Sequence, residues 1–158
     1  MNAWPHDDTT SKNAFYGDFQ SPGWQALNLR HMNAPFMMYY DKQPLAHGIL
    51  VHAKIVDALT QVFNDIWNVC NHDQAAVDKT GASDFGGCYN PRRIAGSNNW
   101  SNHSWACAID LSPGTNGFNT GHGSISNVVV DAFRRQGFFW GGDYHGRTDP
   151  MHFEAVSR

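Results

Sequence analysis

From Val51 to Asn71 no Gly or Pro interrupts a chain that otherwise carries 15 Gly and 7 Pro. Within that stretch Ile55, Leu59, Val62, Phe63 and Ile66 recur at helical spacing. The spacing predicts one long amphipathic helix whose apolar stripe needs a partner surface. His52 and His72 fall at its two ends, where a histidine is expected to cap or to face water. The rest of the chain offers shorter pieces. "WACAIDL" alternates, with Trp105, Cys107, Ile109 and Leu111 on one face and Ala106, Ala108 and Asp110 on the other, which reads as a strand. "ISNVVVDAFRRQG" reads as a second helix, capped by Ser124 or Ser126 and ended by Gly137. "FFWGG" and "MHFEAV" read as two further short strands. Helix, strand, helix and strands in that order imply an α+β fold, a small antiparallel sheet with flanking helices.

The chain has 158 residues, which fits a single domain over 1–158. Residues 1–45 mix aromatics with Gly and Pro and are expected to wrap the core as coil, while 85–155 carry the chemistry. No repeat or linker appears, and no separate binding domain is expected. The formal charge of −3 argues against nucleic acid, which selects a basic face. No apolar run is long enough for a membrane span. "MNAWPHDDTTSKN" has neither the basic nor the apolar region of a secretory signal. That implies synthesis in the cytoplasm with Cys70, Cys88 and Cys107 reduced, although Cys88 and Cys107 could pair if their strands are neighbours.

Three residues suggest a metal. Asp110 shares its strand face with two alanines, so there is space above the carboxylate, and an acid on a half-buried strand is costly unless paired or bound. His103 precedes it by seven positions, so strand parity would put it on the opposite face; it must sit in the turn-like "SNHS" instead. His152 opens the last strand. Two imidazoles and one carboxylate suit Zn2+ with a fourth position open to water, and such a water can reach a pKa of about 7. Asp149, held in a turn by Pro150, could take its proton. In a chain with 9 His the trio also arises by chance, and spacing alone leaves both readings open.

At these residues the sequence resembles a family. "SNHSWACAID" is similar to the Ser-x-His-x(6)-Asp segment, and "DPMHFE" to the acid-x-x-His segment, of zinc peptidases acting on peptidoglycan. These include D-Ala-D-Ala carboxypeptidases and dipeptidases and the L-alanyl-D-glutamate endopeptidases of many phage endolysins. "WGGD", Trp140 to Asp143, and "PRRIAGS" resemble the endopeptidase branch. The resemblance covers about residues 85–155 and implies a hedgehog/D-Ala-D-Ala peptidase-like fold. It implies His103, Asp110 and His152 as zinc ligands, Asp149 as general base, Arg92 as the arginine that meets substrate, with Arg93 one residue away, and Ser101 as a substrate or loop contact. Glu154, the sole Glu of the chain, would share a strand face with His152 and is read as support for that ligand. Cys107 or its neighbour stands where the family often has Gly, and Cys107 is expected in the core. Trp140, Tyr144 and Tyr89 are candidates either to line the groove or to pack. His122 and His145 are expected to face solvent.

The implied activity is cleavage of the L-Ala–D-Glu bond of the peptidoglycan stem peptide by a monomeric endolysin, made in the cytoplasm of the producing cell and released to the wall. Asp rather than Glu as base, the "WGGD…DPMHFE" segment and the lack of a signal favour it. The alternatives are a D-Ala-D-Ala carboxypeptidase or dipeptidase, and a zinc-containing wall-binding module without catalysis.

Overall fold

The computed structural model describes residues 3–158. The long apolar stretch becomes α3, Val56–Val69, with Leu59, Val62, Phe63 and Ile66 fully buried. It starts later than its periodicity suggests. Residues 49–52 form strand β4, and a single 3-10 turn, Ala53–Ile55, joins strand to helix. His52 is buried rather than solvated. Its ring accepts from the Lys54 N–H as the turn's cap and reaches the Tyr16 carbonyl at 2.9 Å. His72 is exposed and stacks on Trp67.

The first 45 residues are more ordered than a coil. Asp8 caps α1, Thr9–Tyr16, by accepting from the Ser11 N–H, a cap whose loss costs typically about 1 kcal/mol. Then come α2, Trp24–Asn28, and β1, Leu29–Met32, which pairs with β4, Ile49–His52, in an antiparallel ribbon. Between them β2, Tyr39–Tyr40, and β3, Gln43–Pro44, form a two-residue hairpin. Asp73 caps a short α4, Gln74–Thr80, that the 3.6-residue periodicity does not reveal.

The sheet that matters here has four strands in the order β5-β6-β8-β7, all antiparallel: β5 Phe85–Gly87, β6 Ala108–Leu111, β7 Phe139–Trp140 and β8 His152–Glu154. The strand read as 105–111 is therefore shorter. Trp105 belongs to a 3-10 turn, Asn102–Trp105, and Ala106 adopts a left-handed conformation (φ 52°). The period-2 pattern ran through these residues because all of them are buried, not because they alternate. Helix α5, Asn127–Arg135, is capped by Ser126 and packs on α3. Its Phe133 stacks on Phe153 of β8 at 4.0 Å. That contact pins Phe153 to the core, and because neighbouring strand residues point to opposite faces, His152 and Glu154 are turned to the other side. The result is the mixed α/β arrangement of helices and small antiparallel sheets expected from the sequence. Among the described residues no helix is long and apolar enough to cross a membrane. The three cysteines are free and buried.

Candidate metal centre

Strand register assembles half of the site. Asp110 of β6 pairs directly with His152 of β8, and Ala108 pairs with Glu154. Directly opposed residues on one face stand about 5 Å apart at Cβ. Asp110 Oδ1 therefore meets His152 Nδ1 at 2.9 Å, and the small Ala108 leaves room for the Glu154 side chain. His152 uses its other nitrogen as well: Nε2 is 3.0 Å from Glu154 Oε2.

The 3-10 turn supplies the other half. Ser101 caps it, accepting from the His103 N–H, and the left-handed Ala106 returns the chain to β6. His103 Nδ1 lies 2.7 Å from the Cys88 carbonyl. A carbonyl can only accept, so Nδ1 carries a proton and Nε2 is the nitrogen turned toward the site. That Nε2 is buried, makes no hydrogen bond, and stands 3.2 Å from Asp110 Oδ2. The separation is short enough for an ion pair, but no N–H points along it. The carboxylate therefore does not satisfy the buried ring nitrogen, which is left for another partner such as a cation. One ligand atom each of His103, Asp110 and His152 lie within 4.8 Å of one another, so the three could hold a metal ion. Nitrogen, nitrogen and oxygen form the donor set of a zinc site with an open position.

The local electrostatics are those of closely paired acids and imidazoles. Burial alone would raise the pKa of Asp110, but the adjacent His103 and His152 rings, the latter by a direct hydrogen bond, outweigh it and hold the carboxyl well below its usual range. Burial likewise opposes a charge on His152, yet its hydrogen bonds to Asp110 and Glu154 prevail and lift it to about 10. Glu154 is held low, against its own burial, by His152 and then Arg158.

Asp149 lines the same cleft beside the trio. Its Oδ1 is buried without a hydrogen-bond partner, and burial raises its pKa above 3.8. The "WGGD" glycines explain its position. A Cβ on Gly141 would lie 2.3 Å from the Asp149 carbonyl oxygen, and one on Gly142 2.3 Å from the Trp140 ring. Neither glycine has a positive φ; what they provide is the absence of a side chain, so that the Asp149 N–H can bond the Gly141 carbonyl at 2.9 Å.

The cleft has a volume of about 400 Å³. Arg92 lines it and Arg93 does not: Arg93 lies over the Trp100 ring at 3.6 Å. The Arg92 guanidinium makes no ion pair among the described residues, while its main chain is tied to Ser101 and Ser104 beside the 3-10 turn. Ser101 also lines the cleft, as do the exposed apolar side chains of Ile94 and Phe118. Of the three aromatic candidates only Tyr144 lines it. Trp140 is buried, donating to the Pro150 carbonyl, and Tyr89 packs near Trp24. His122 and His145 are exposed, and Cys107 is fully buried.

A family model described as D-alanyl-D-alanine carboxypeptidase matches residues 95–155. The match spans less than half of the chain, and it contains His103, Asp110, Asp149 and His152. The chain is similar to zinc peptidases. No curated protein and no solved structure matches it. Together with the convergent trio, the match supports a metallopeptidase acting on peptidoglycan in the broad sense.

Sequence reading did not find the partners of Glu154. Asn102 donates to it at 2.7 Å and Arg158 at 2.7 Å, and Lys12 and Asp7 close the group from ninety positions away. The one available signal was an unpaired acid beside His152; nothing local could have pointed to α1.

Proposed function

We propose that this protein is a zinc-dependent endopeptidase that cleaves the L-Ala–D-Glu bond of the peptidoglycan stem peptide, working as a monomeric phage-type endolysin made in the cytoplasm and released to the wall. The observation that carries the reading is the buried His103 Nε2 without a hydrogen bond, in a trio with Asp110 and His152 whose ligand atoms lie within 4.8 Å of one another. His103 through Nε2, His152 through Nδ1 and Asp110 through its carboxylate would hold the ion. Bound zinc supplies a Lewis acid for the scissile carbonyl and lowers the pKa of the attacking water.

The chain's own residues do the remainder. Asp149 accepts the water's proton on its unpartnered Oδ1 and passes it to the leaving amine. A pKa raised by burial suits that exchange, because a base works best when its pKa nears the working pH. Arg92, with a guanidinium free of ion pairs, meets the negative charge that develops on the carbonyl oxygen or a substrate carboxylate. Ser101 holds the turn that presents His103 and borders the substrate. Ile94 and Phe118 give the cleft an apolar lip suited to an alanyl methyl, next to a cation suited to glutamate. Asp rather than Glu at position 149 and the "WGGD" segment that seats it favour the endopeptidase branch.

The description of the matched family favours a second reading, removal of terminal D-Ala. Digestion of purified peptidoglycan followed by mass spectrometry separates the two. New D-Glu amino termini are expected. Release of free D-Ala without them would replace the proposal with the carboxypeptidase reading, and intact muropeptides with zinc still bound would point to a wall-binding module.

A further inference from the structure

Behind the metal centre five side chains close a ring. Glu154 Oε2 accepts from Asn102 Nδ2 at 2.7 Å, and Asn102 Oδ1 accepts from Lys12 Nζ at 2.7 Å. Lys12 Nζ also donates to Asp7 Oδ1 at 2.9 Å; Asp7 Oδ2 accepts from Arg158 Nη2 at 2.8 Å; Arg158 Nε returns to Glu154 Oε1 at 2.7 Å. A diagonal bond, Asn102 Nδ2 to Asp7 Oδ1 at 3.1 Å, braces it. Lys12, Asn102 and Glu154 are 4%, 6% and 1% exposed. Buried lysine is rare and costly unless paired. Two cations face two anions, so the ring is neutral as a whole.

The ring is built from three distant segments. Asp7 lies just before α1 and Lys12 within it, Asn102 in the 3-10 turn, and Glu154 and Arg158 at and beyond β8. Backbone pairing holds the outer segments together: the Asp7 N–H donates to the Ser157 carbonyl, and the Ser157 N–H to that of Pro5. The Lys12 ammonium also lies 4.5 Å from the Trp105 ring centre, on the same turn.

Two members touch the metal ligands. Glu154 binds His152 Nε2, and Asn102 is joined by a peptide bond to His103. His103 and His152 come from separate elements with no backbone hydrogen bond between them, so their separation depends on what ties turn to strand. The Asn102–Glu154 bond is the direct side-chain tie, added to the pairing of β6 with β8. We propose that Asp7, Lys12, Asn102 and Arg158 are positioning residues for the metal centre: through Glu154 and the 3-10 turn they fix the two imidazoles at one distance and angle. This rests on the zinc reading above. Arg158 lines the cleft, but its charge is committed to Glu154 and Asp7, which leaves substrate anions to Arg92.

The test uses the full chain stripped by chelation and titrated with Co2+, followed by its visible absorption, with Zn2+ affinity measured by competition. Lys12→Met and Arg158→Met are each expected to weaken metal binding about tenfold, the lower end of what losing an outer-shell partner costs, and to alter the cobalt spectrum. Lys12→Met combined with Asp7→Asn restores neutrality and is expected to recover part of the loss, a coupling that separates the ring from a general loss of fold. Arg135→Met, which breaks an exposed ion pair with Asp65 on α5, is expected to behave as wild type. Single variants with wild-type affinity and spectrum would overturn the positioning role alone. A wild-type chain that binds neither Co2+ nor Zn2+ would remove the zinc reading as well.

Discussion

Two buried polar groups lie side by side in this molecule and are finished to different degrees. In the ring of Asp7, Lys12, Asn102, Glu154 and Arg158 each charged side chain meets a partner. In the cleft beside it, His103 Nε2 and Asp149 Oδ1 are buried with no hydrogen bond. Among the described residues four buried side-chain atoms are in that condition, and three of them belong to His103, Thr148 and Asp149. An unsatisfied buried polar atom typically costs about 1–3 kcal/mol. The contrast teaches where chemistry is expected: a completed network holds geometry, whereas incomplete valences mark where an ion, a water and a substrate are to go.

The comparison can be broken at its sharpest point first. His103→Ala is expected to abolish metal uptake and to lower peptidoglycan hydrolysis by more than the roughly 10²–10⁴-fold that a lost proton shuttle costs; elemental analysis and a turbidity assay on bare walls check both. Stoichiometric zinc in that variant would place the ion elsewhere. Asp149→Ala is expected to retain zinc and to lose about 10²–10⁴-fold in kcat. Since it removes an orphaned carboxylate, its metal-free form should unfold at the same denaturant concentration as wild type or a higher one. Asn102→Ala is the converse. It leaves Lys12 and Glu154 each short of a partner, and urea unfolding of the metal-free protein should show a loss of about 1–3 kcal/mol.

The gentlest probe is pH, because His152 belongs to both groups, with Nδ1 toward the cleft and Nε2 toward the ring. Its folded-state pKa is raised from 6.5 to about 10. The stability it contributes to the metal-free protein is thus fully present below about 6.5 and is lost as pH rises through about 10. Thermal unfolding between those limits should show a falling midpoint. Glu154→Gln should move the fall to lower pH, and a flat profile in wild type would show that His152 is not charged between its two acids.

How much of this was readable from the chain depends on range. Asp110 and His152 were legible because a strand's period-2 pattern and the neighbouring alanines mark a face. The placement of His103 in a turn followed from the parity it would otherwise violate. Helix α5 and its Ser126 cap followed from local signals. What failed was local too: Trp105 and Ala106 were read as strand because burial on every side imitates alternation. Helix α1 was missed although Asp8 is a good cap, because Lys12 and Tyr16, its buried residues, do not make an apolar stripe. Those two face inward for reasons that lie far along the chain, in Asn102 and in the Ala155 carbonyl that Tyr16 bonds.

The strand order carries a consequence for assembly. β8 follows β7 in the chain, yet it lies between β6 and β7. β6 and β7 are each hydrogen-bonded to β8 and not to one another, so the sheet stays incomplete until β8 has been made. The candidate metal centre is therefore completed late, when the segment bearing its second histidine joins the sheet beside Asp110.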